Sequence, residues 1–228
     1  MPRPSIIAID GSAASGKSTI GALLARSLDY LFFDTGVMYR AITWAALTRQ
    51  LDIDHVEEIS KLAETLTIEV KPGQLEGVPQ SMVLIDGQDI TPYLRSPAVE
   101  AHVSRVSSYP RVRAALTVQQ RRIATAGSVV MVGRDIGTVV LPDADLKIFM
   151  QASPEERAHR RYYEAVAQNR PANFDEILAA IQQRDQQDRD KPISPMIPAA
   201  DAIVINTDKL TIAQVLAKLK HLVDCAEP

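Results

Sequence analysis

The chain has 228 residues, 46% hydrophobic and 23% charged, with a formal net charge of -3. That length buries one sizeable core with insertions, or two small cores at most, and the composition excludes a disordered or low-complexity chain. Net acidity excludes a surface that grips nucleic acid everywhere, while leaving a local basic cleft open.

The single cysteine, Cys225, allows neither an intrachain disulfide nor a CxxC metal site, and implies a reducing, cytoplasmic compartment. No stretch approaches the roughly 18 apolar residues of a membrane span. The segment Ser5 to Asp10 is too short for a signal-peptide core and reads as a buried first strand.

In chain order, short apolar runs recur at Ile6 to Ile9, Tyr30 to Phe33, Val129 to Val132, Leu146 to Met150 and Ala202 to Ile205, with helical-period segments between several of them. Strands alternating with helices predict an α/β core, a parallel sheet covered on both faces. Between Thr67 and Ile90 the rhythm changes. Thr-Ile-Glu-Val, a Pro72-Gly73 turn, Met82-Val-Leu-Ile and then Asp86-Gly87 predict a small antiparallel β insert of about residues 67–96. Further on, Ser153-Pro154-Glu155-Glu156 supplies an N-cap, a proline at the first helical position and a capping-box glutamate. Asn173 with Glu176 opens a second helix, so residues 168–173 form the turn of a helical hairpin.

The chemistry begins at Gly11-Ser12-Ala13-Ala14-Ser15-Gly16-Lys17-Ser18, which matches GxxxxGK[ST] directly after an apolar strand and directly before a helical pattern from Thr19 to Leu28. Such a phosphate-binding loop wraps a nucleotide's phosphates in backbone N–H groups. Lys17 reaches the β and γ oxygens, and Ser18 offers a hydroxyl to Mg²⁺. A plain glycine turn with a surface lysine would not also have the right strand before it and helix after it.

The loop does not say what accepts the phosphoryl group. No Asn-Lys-x-Asp segment is present to read guanine, and the chain is short for a motor or helicase. A kinase for a small anionic acceptor fits better, and its positive footprint is visible. From Ala101 to Arg134 there is no Asp or Glu, yet the stretch carries Arg105, Arg111, Arg113, Arg121, Arg122 and Arg134. Arginine's planar fork suits phosphate. Arg121 and Arg122 read as a solvated helix face, whereas Arg113 and Arg134 read as site residues. Arg134, followed by Asp135-Ile-Gly137, sits at the C-terminal end of a strand, where open α/β sheets bind ligands. Asp34-Thr35-Gly36-Val-Met-Tyr39-Arg40 likewise ends a strand and opens a helix, so a phosphate can rest there.

On the late helices, Arg157, Arg160 and Arg161 fall at i, i+3 and i+4, as Arg184 and Asp188 fall at i, i+4. The second pair is ordinary intrahelical support. The three arginines exceed what Glu156 and Glu164 neutralise and predict a mobile lid over the loop, which would complete the charge clamp on the transferring group and exclude water.

Taken together, GSAASGKST, DTGVMYRA, YPRVR, VGRDIGTVV, SPEERAHRR and RDQQDRDK resemble the bacterial cytidylate kinases, in order and over nearly the whole chain. The resemblance implies one phosphate-binding-loop kinase domain over residues 1–228, with a monophosphate-binding region at 36–112 that contains the β insert, and a short lid at 152–172. It implies transfer of the γ-phosphoryl of ATP, with Mg²⁺, to CMP or dCMP. Neither nucleic acid nor membrane is an expected partner, and a monomer is the default.

Carried over position by position, residues Gly11 to Thr19 contact ATP, and Arg157, Arg160 and Arg161 match the lid arginines, with Arg160 foremost. Lys17, Arg134 and Arg160 are then the catalytic cations. Asp34, Thr35, Arg40 and Arg134 take the acceptor's monophosphate, Ser104, Arg113 and Asp135 lie near its pyrimidine ring, and Arg184 and Asp188 form the sugar-side pair. His159, among the lid arginines, reads as a neutral surface residue. The chain departs from the pattern at Ser12 and Ala14, where proline and glycine are common, and at Lys191, where an arginine commonly follows Arg184 by seven residues. Lysine keeps the charge at 191 and loses the fork.

Overall fold

The computed structural model describes residues 3–75, 78–190 and 195–226. Its elements in chain order are β1 (Ile6–Gly11), α1 (Lys17–Leu28), β2 (Leu31–Asp34), α2 (Gly36–Thr48), α3 (Val56–Thr65), β3 (Ile68–Leu75), β4 (Val78–Ile85), β5 (Gln88–Asp89), α4 (Pro97–Val106), α5 (Pro110–Ala124), β6 (Val129–Gly133), β7 (Leu146–Gln151), α6 (Pro154–Ala167), α7 (Phe174–Arg189), β8 (Ile203–Asn206) and α8 (Ile212–Cys225). A 3₁₀ turn, Thr91–Tyr93, precedes α4, and a π-helical turn, Ile136–Val140, follows β6.

Five strands form a parallel sheet in the order β2-β6-β1-β7-β8, flanked by helices. Ile9 of β1 registers with Ile148 of β7, and Ile148 in turn with Ile203 of β8. β6 is buried throughout and β1 and β7 nearly so, the burial expected of inner strands covered on both faces. β8 lies at the edge, and there Ile203 and Val204 are exposed. The five apolar runs of the sequence are these five strands, each shifted or extended by a residue or two.

The chain divides into two compact units. The first comprises Met1–Leu24 and Val132–Pro228. Ile7, Ile9, Ile136 and Ile148 are fully or almost fully buried in it. So are Val215, Leu219 and Val223, which share one face of α8 at i, i+4 and i+8. α8 starts on a capping box in which Thr211 and Gln214 satisfy each other's backbone amides. Each fully buried Ile or Leu contributes about 1.5–3 kcal/mol of transfer free energy.

The second unit, Ala25–Met131, packs Phe33, Met38, Ile42, Ile59 and Leu116 into its core. Trp44 stacks on Tyr93 there, ring centroids 6.0 Å apart. The unit also holds the antiparallel sheet β3-β4-β5. Asp86 and Gly87, both at positive φ, turn β4 into β5 as expected. The turn expected at Pro72-Gly73 is absent. β3 runs through both residues, which register with Ser81 and Gln80 of β4. β3 is an edge strand of its sheet, and an edge tolerates proline because one row of its N–H groups has no ladder partner to lose.

Candidate active site

The phosphate-binding loop lies wholly in the first unit. Gly11 ends β1 at φ +154°, where an added Cβ would lie 2.2 Å from the Met150 carbonyl oxygen, so only glycine fits between β1 and β7. Ser15 N–H donates to the Ser12 carbonyl, and Ile20 N–H donates to the Gly16 carbonyl to open α1. Lys17 Nζ donates to the Ser12 carbonyl at 3.0 Å, which folds the ammonium back over the loop. Ala14 adopts φ +61°, a left-handed conformation that costs a residue with a Cβ about 1–2 kcal/mol.

The late helices reach this loop. Ser153 caps α6 by accepting from Glu156 N–H. The expected capping box closes only halfway, because Ser153 N–H donates to Asp208 and the Glu156 carboxylate pairs instead with Arg160. Arg157 is buried and forms a bidentate ion pair with Asp185 of α7, while its Nη1 also donates to the Ala13 carbonyl at 3.2 Å. Arg160 donates to the Ser15 carbonyl, the Thr207 hydroxyl and the Thr207 carbonyl. Arg161, nearly half exposed, pairs with Glu164 at 3.3 Å. The surplus of positive charge expected on this face is therefore balanced, each arginine having its own carboxylate, because Asp185 arrives from the neighbouring helix. His159 is exposed and rests its ring 4.6 Å from that of Phe174.

At the C-terminal end of β6, Arg134 Nε lies 2.5 Å from Oδ2 of the buried Asp188. Asp188 thus pairs across the unit with Arg134. Asp135 is buried beside Arg134, and Arg184 is half-buried on α7. Behind Arg134 and Asp135 stands Asp10, the last but one residue of β1. Its Oδ1 accepts from Ile136 N–H and its Oδ2 from Gly137 N–H, each at 2.8 Å. Burial pushes its carboxyl up to about 6; the two amides draw it down, Asp135 pushes it up and Lys17 draws it down, in that order of size.

The expected acceptor residues Asp34, Thr35, Arg40, Ser104 and Arg113 all lie in the second unit. Asp34 Oδ1 accepts from Gly36 N–H, and Arg40 donates to the Gly36 carbonyl and pairs with Glu100 at 3.0 Å. An added Cβ at Gly36 would meet both Arg40 Nη1 and Asp34 Oδ1 at 3.0 Å, so glycine lets the carboxylate and the guanidinium share the start of α2. Thr35 is buried at that helix's N-cap. Arg113 is buried, donates to the Ser107 carbonyl and lies 5.5 Å from the centre of the Tyr39 ring. Ser104 is exposed on α4.

Two arginines of the acid-free stretch are committed elsewhere. Arg105 pairs with Asp54, and Arg111 pairs with Glu57 and Glu64. Charge segregated along the sequence is compensated in space. Lys191 lies outside the described residues.

Sequence reasoning passed over Asp10, Asp185 and Thr207. For Asp10 a signal existed, a carboxylate closing an otherwise apolar strand. The other two act through contacts between elements distant in sequence, which no spacing rule reaches.

Set beside known proteins, the chain matches the cytidylate kinase family profile over residues 7–224. It is 50% identical over 214 residues to a cytidylate kinase of Chloroflexus aggregans, covering 94% of this chain and 91% of the relative. It is 46% identical over 223 residues to one of Herpetosiphon aurantiacus, with 98% and 96% covered. A bifunctional pantoate ligase/cytidylate kinase of Synechococcus is 44% identical over 97% of this chain, which spans 41% of that longer protein. Among solved structures, an uncharacterised protein of Eubacterium ventriosum shares the fold at TM-score 0.51, 14% identity and coverage of 97% of this chain and 99% of that one.

Proposed function

Since the chain belongs to the cytidylate kinase family, we propose that it transfers the γ-phosphoryl of ATP to CMP or dCMP, giving ADP and CDP or dCDP. The observation that carries the acceptor is 50% identity to a curated cytidylate kinase over nearly the full length of both chains.

In this reading an oxygen of the acceptor monophosphate is the nucleophile. It attacks the γ-phosphorus in line, and ADP departs with the electrons of the broken P–O bond. Residues Gly11 to Thr19 hold the donor phosphates. Lys17, Arg134 and Arg160 offset charge on the transferring group, work that positioned cations perform without a covalent intermediate. Arg157, held by Asp185, acts on the loop through the Ala13 carbonyl, and Arg161 joins Arg160 in contacting ATP. Asp34, Thr35, Arg40 and Arg134 take the monophosphate, Ser104, Arg113 and Asp135 the base, and Arg184, Asp188 and Lys191 the sugar side.

The donor set fits Mg²⁺ rather than a metal held by protein alone. Ser18 places one hydroxyl in the first turn of α1, and the described residues contain no group of three His, Cys, Asp or Glu side chains able to hold an ion. Mg²⁺ keeps its waters and binds largely through substrate phosphates; held there with the help of Ser18, it would neutralise charge developing on the donor. The reaction belongs in the cytoplasm, where ATP and nucleoside monophosphates meet, and the enzyme works as a monomer. Among the described residues no helix is long and apolar enough to cross a membrane.

The test is ADP release with ATP and Mg²⁺ against CMP, dCMP, UMP, AMP and GMP in parallel. Turnover on CMP and dCMP well above the rest is expected; preference for another acceptor would overturn the assignment. Lys17→Ala should lower kcat about a hundredfold or more with its melting temperature nearly unchanged. A folded variant with ordinary turnover would remove Lys17 from the mechanism.

A further inference from the structure

Asp10 is 4% exposed and closes β1 immediately before the phosphate-binding loop. The groups around it come from three elements. Lys17 on α1 and Asp135 before the π-helical turn act on it through charge. The methylene stem of Lys147 on β7 packs within 3.2 Å of where a Cβ on Gly137 would stand, its ammonium being paired with Asp201 at 2.7 Å.

We propose that Asp10 is a positioning residue for the acceptor: its two oxygens grip the first two amides of the π-helical turn, Ile136 and Gly137, and thereby fix the aim of Arg134 and Asp135 immediately before it. A carboxylate alone presents an acceptor on both oxygens at once to two adjacent N–H groups; an amide of the same shape presents one acceptor and sets a donor against the other N–H. Burying a charge that contributes no shape of its own is costly, and a neutral side chain would spare that cost. The carboxylate is kept for the geometry it imposes. Gly137 supports the same grip from the other side: a Cβ there would touch Asp10 Oδ2 at an ordinary 3.5 Å but crowd the Lys147 stem, 3.2 Å from its Cδ, and so press on the turn.

The inference rests on the reading of Arg134 and Asp135 as acceptor contacts, and its test separates the two. The full-length wild type, Asp10→Asn and Gly137→Ala are assayed for kcat and for KM of CMP and of ATP, and the amide proton resonances of Ile136 and Gly137 are recorded by NMR. Asp10→Asn should raise the KM for CMP about tenfold with the KM for ATP within about twofold, and should move both amide protons upfield. Gly137→Ala should reproduce the selective effect with the carboxylate intact, which keeps the inference testable if Asp10→Asn folds poorly. An unchanged KM for CMP, equal rises in both KM values, or amide resonances indifferent to Asp10→Asn would overturn it. If the wild type prefers an acceptor other than CMP, the acceptor reading fails; the same comparison made on that acceptor, with the amide shifts, still decides the role of Asp10.

Discussion

Ala14 shows how one side chain reports a compromise. The loop needs a left-handed residue at this position, and the chain supplies alanine at φ +61°. Ala14→Gly removes the clash between Cβ and backbone but adds freedom to the unfolded chain, two effects of opposite sign. With the conformation already left-handed, the first should win, and the variant should be more stable by about 0.5–1 kcal/mol in denaturant titrations. Lower stability would mean that the alanine methyl contributes packing. Asp10 makes a second residue-scale prediction. Burial raises its folded carboxyl to about 6 from an ordinary 3.8, so the folded state holds the proton more tightly than the unfolded one. That contribution is fully present below about pH 4 and is lost as pH rises through about 6. Asp10→Asn abolishes it. The stability of wild type relative to this variant should therefore fall between pH 4 and pH 7, by on the order of 3 kcal/mol, measured by urea unfolding across that range. A difference that stays flat would show that burial does not raise this carboxyl.

At the scale of elements, α6 and α7 are joined by one bidentate pair, Arg157 with Asp185, shielded from water on both sides. Removing one partner strands a buried charge, so Asp185→Ala should cost about 3–5 kcal/mol. The double replacement Arg157→Leu with Asp185→Leu should recover much of that loss, because two apolar side chains leave no charge uncompensated. Equal losses in the single and double variants would place the stabilisation outside the pair. The same pair marks how far the sequence could be read. Apolar runs gave all five strands of the large sheet, and Ser153 and Asn173 gave the two helix starts, because strand burial and N-caps are encoded within a few residues. Proline at 72 was misleading because turn chemistry is local, while an edge position, decided by the whole sheet, makes that proline harmless. The loop from Gly11 to Ser18 was legible since its motif is contiguous. Asp10, Asp185 and Thr207 were not, since each works on groups more than 25 residues away.

For the whole molecule, the two compact units divide the expected contacts, the donor loop and late-helix arginines in the first, and Asp34, Thr35, Arg40 and Arg113 in the second. The division cuts through α1 between Leu24 and Ala25 and through β6 between Met131 and Val132. A chain cut within continuous elements should melt as one cooperative system, since neither half keeps its own helix or strand if the other is lost. Here the Trp44–Tyr93 stack acquires a use. Trp44 is the only tryptophan, so the intrinsic emission of the chain is a beacon fixed in the second unit, while far-ultraviolet dichroism sums over both. Coincident emission and dichroism curves in urea would establish one transition, and an emission change that leads or lags would reveal which unit lets go first. The protein thus carries its own local probe of cooperativity, with no label added.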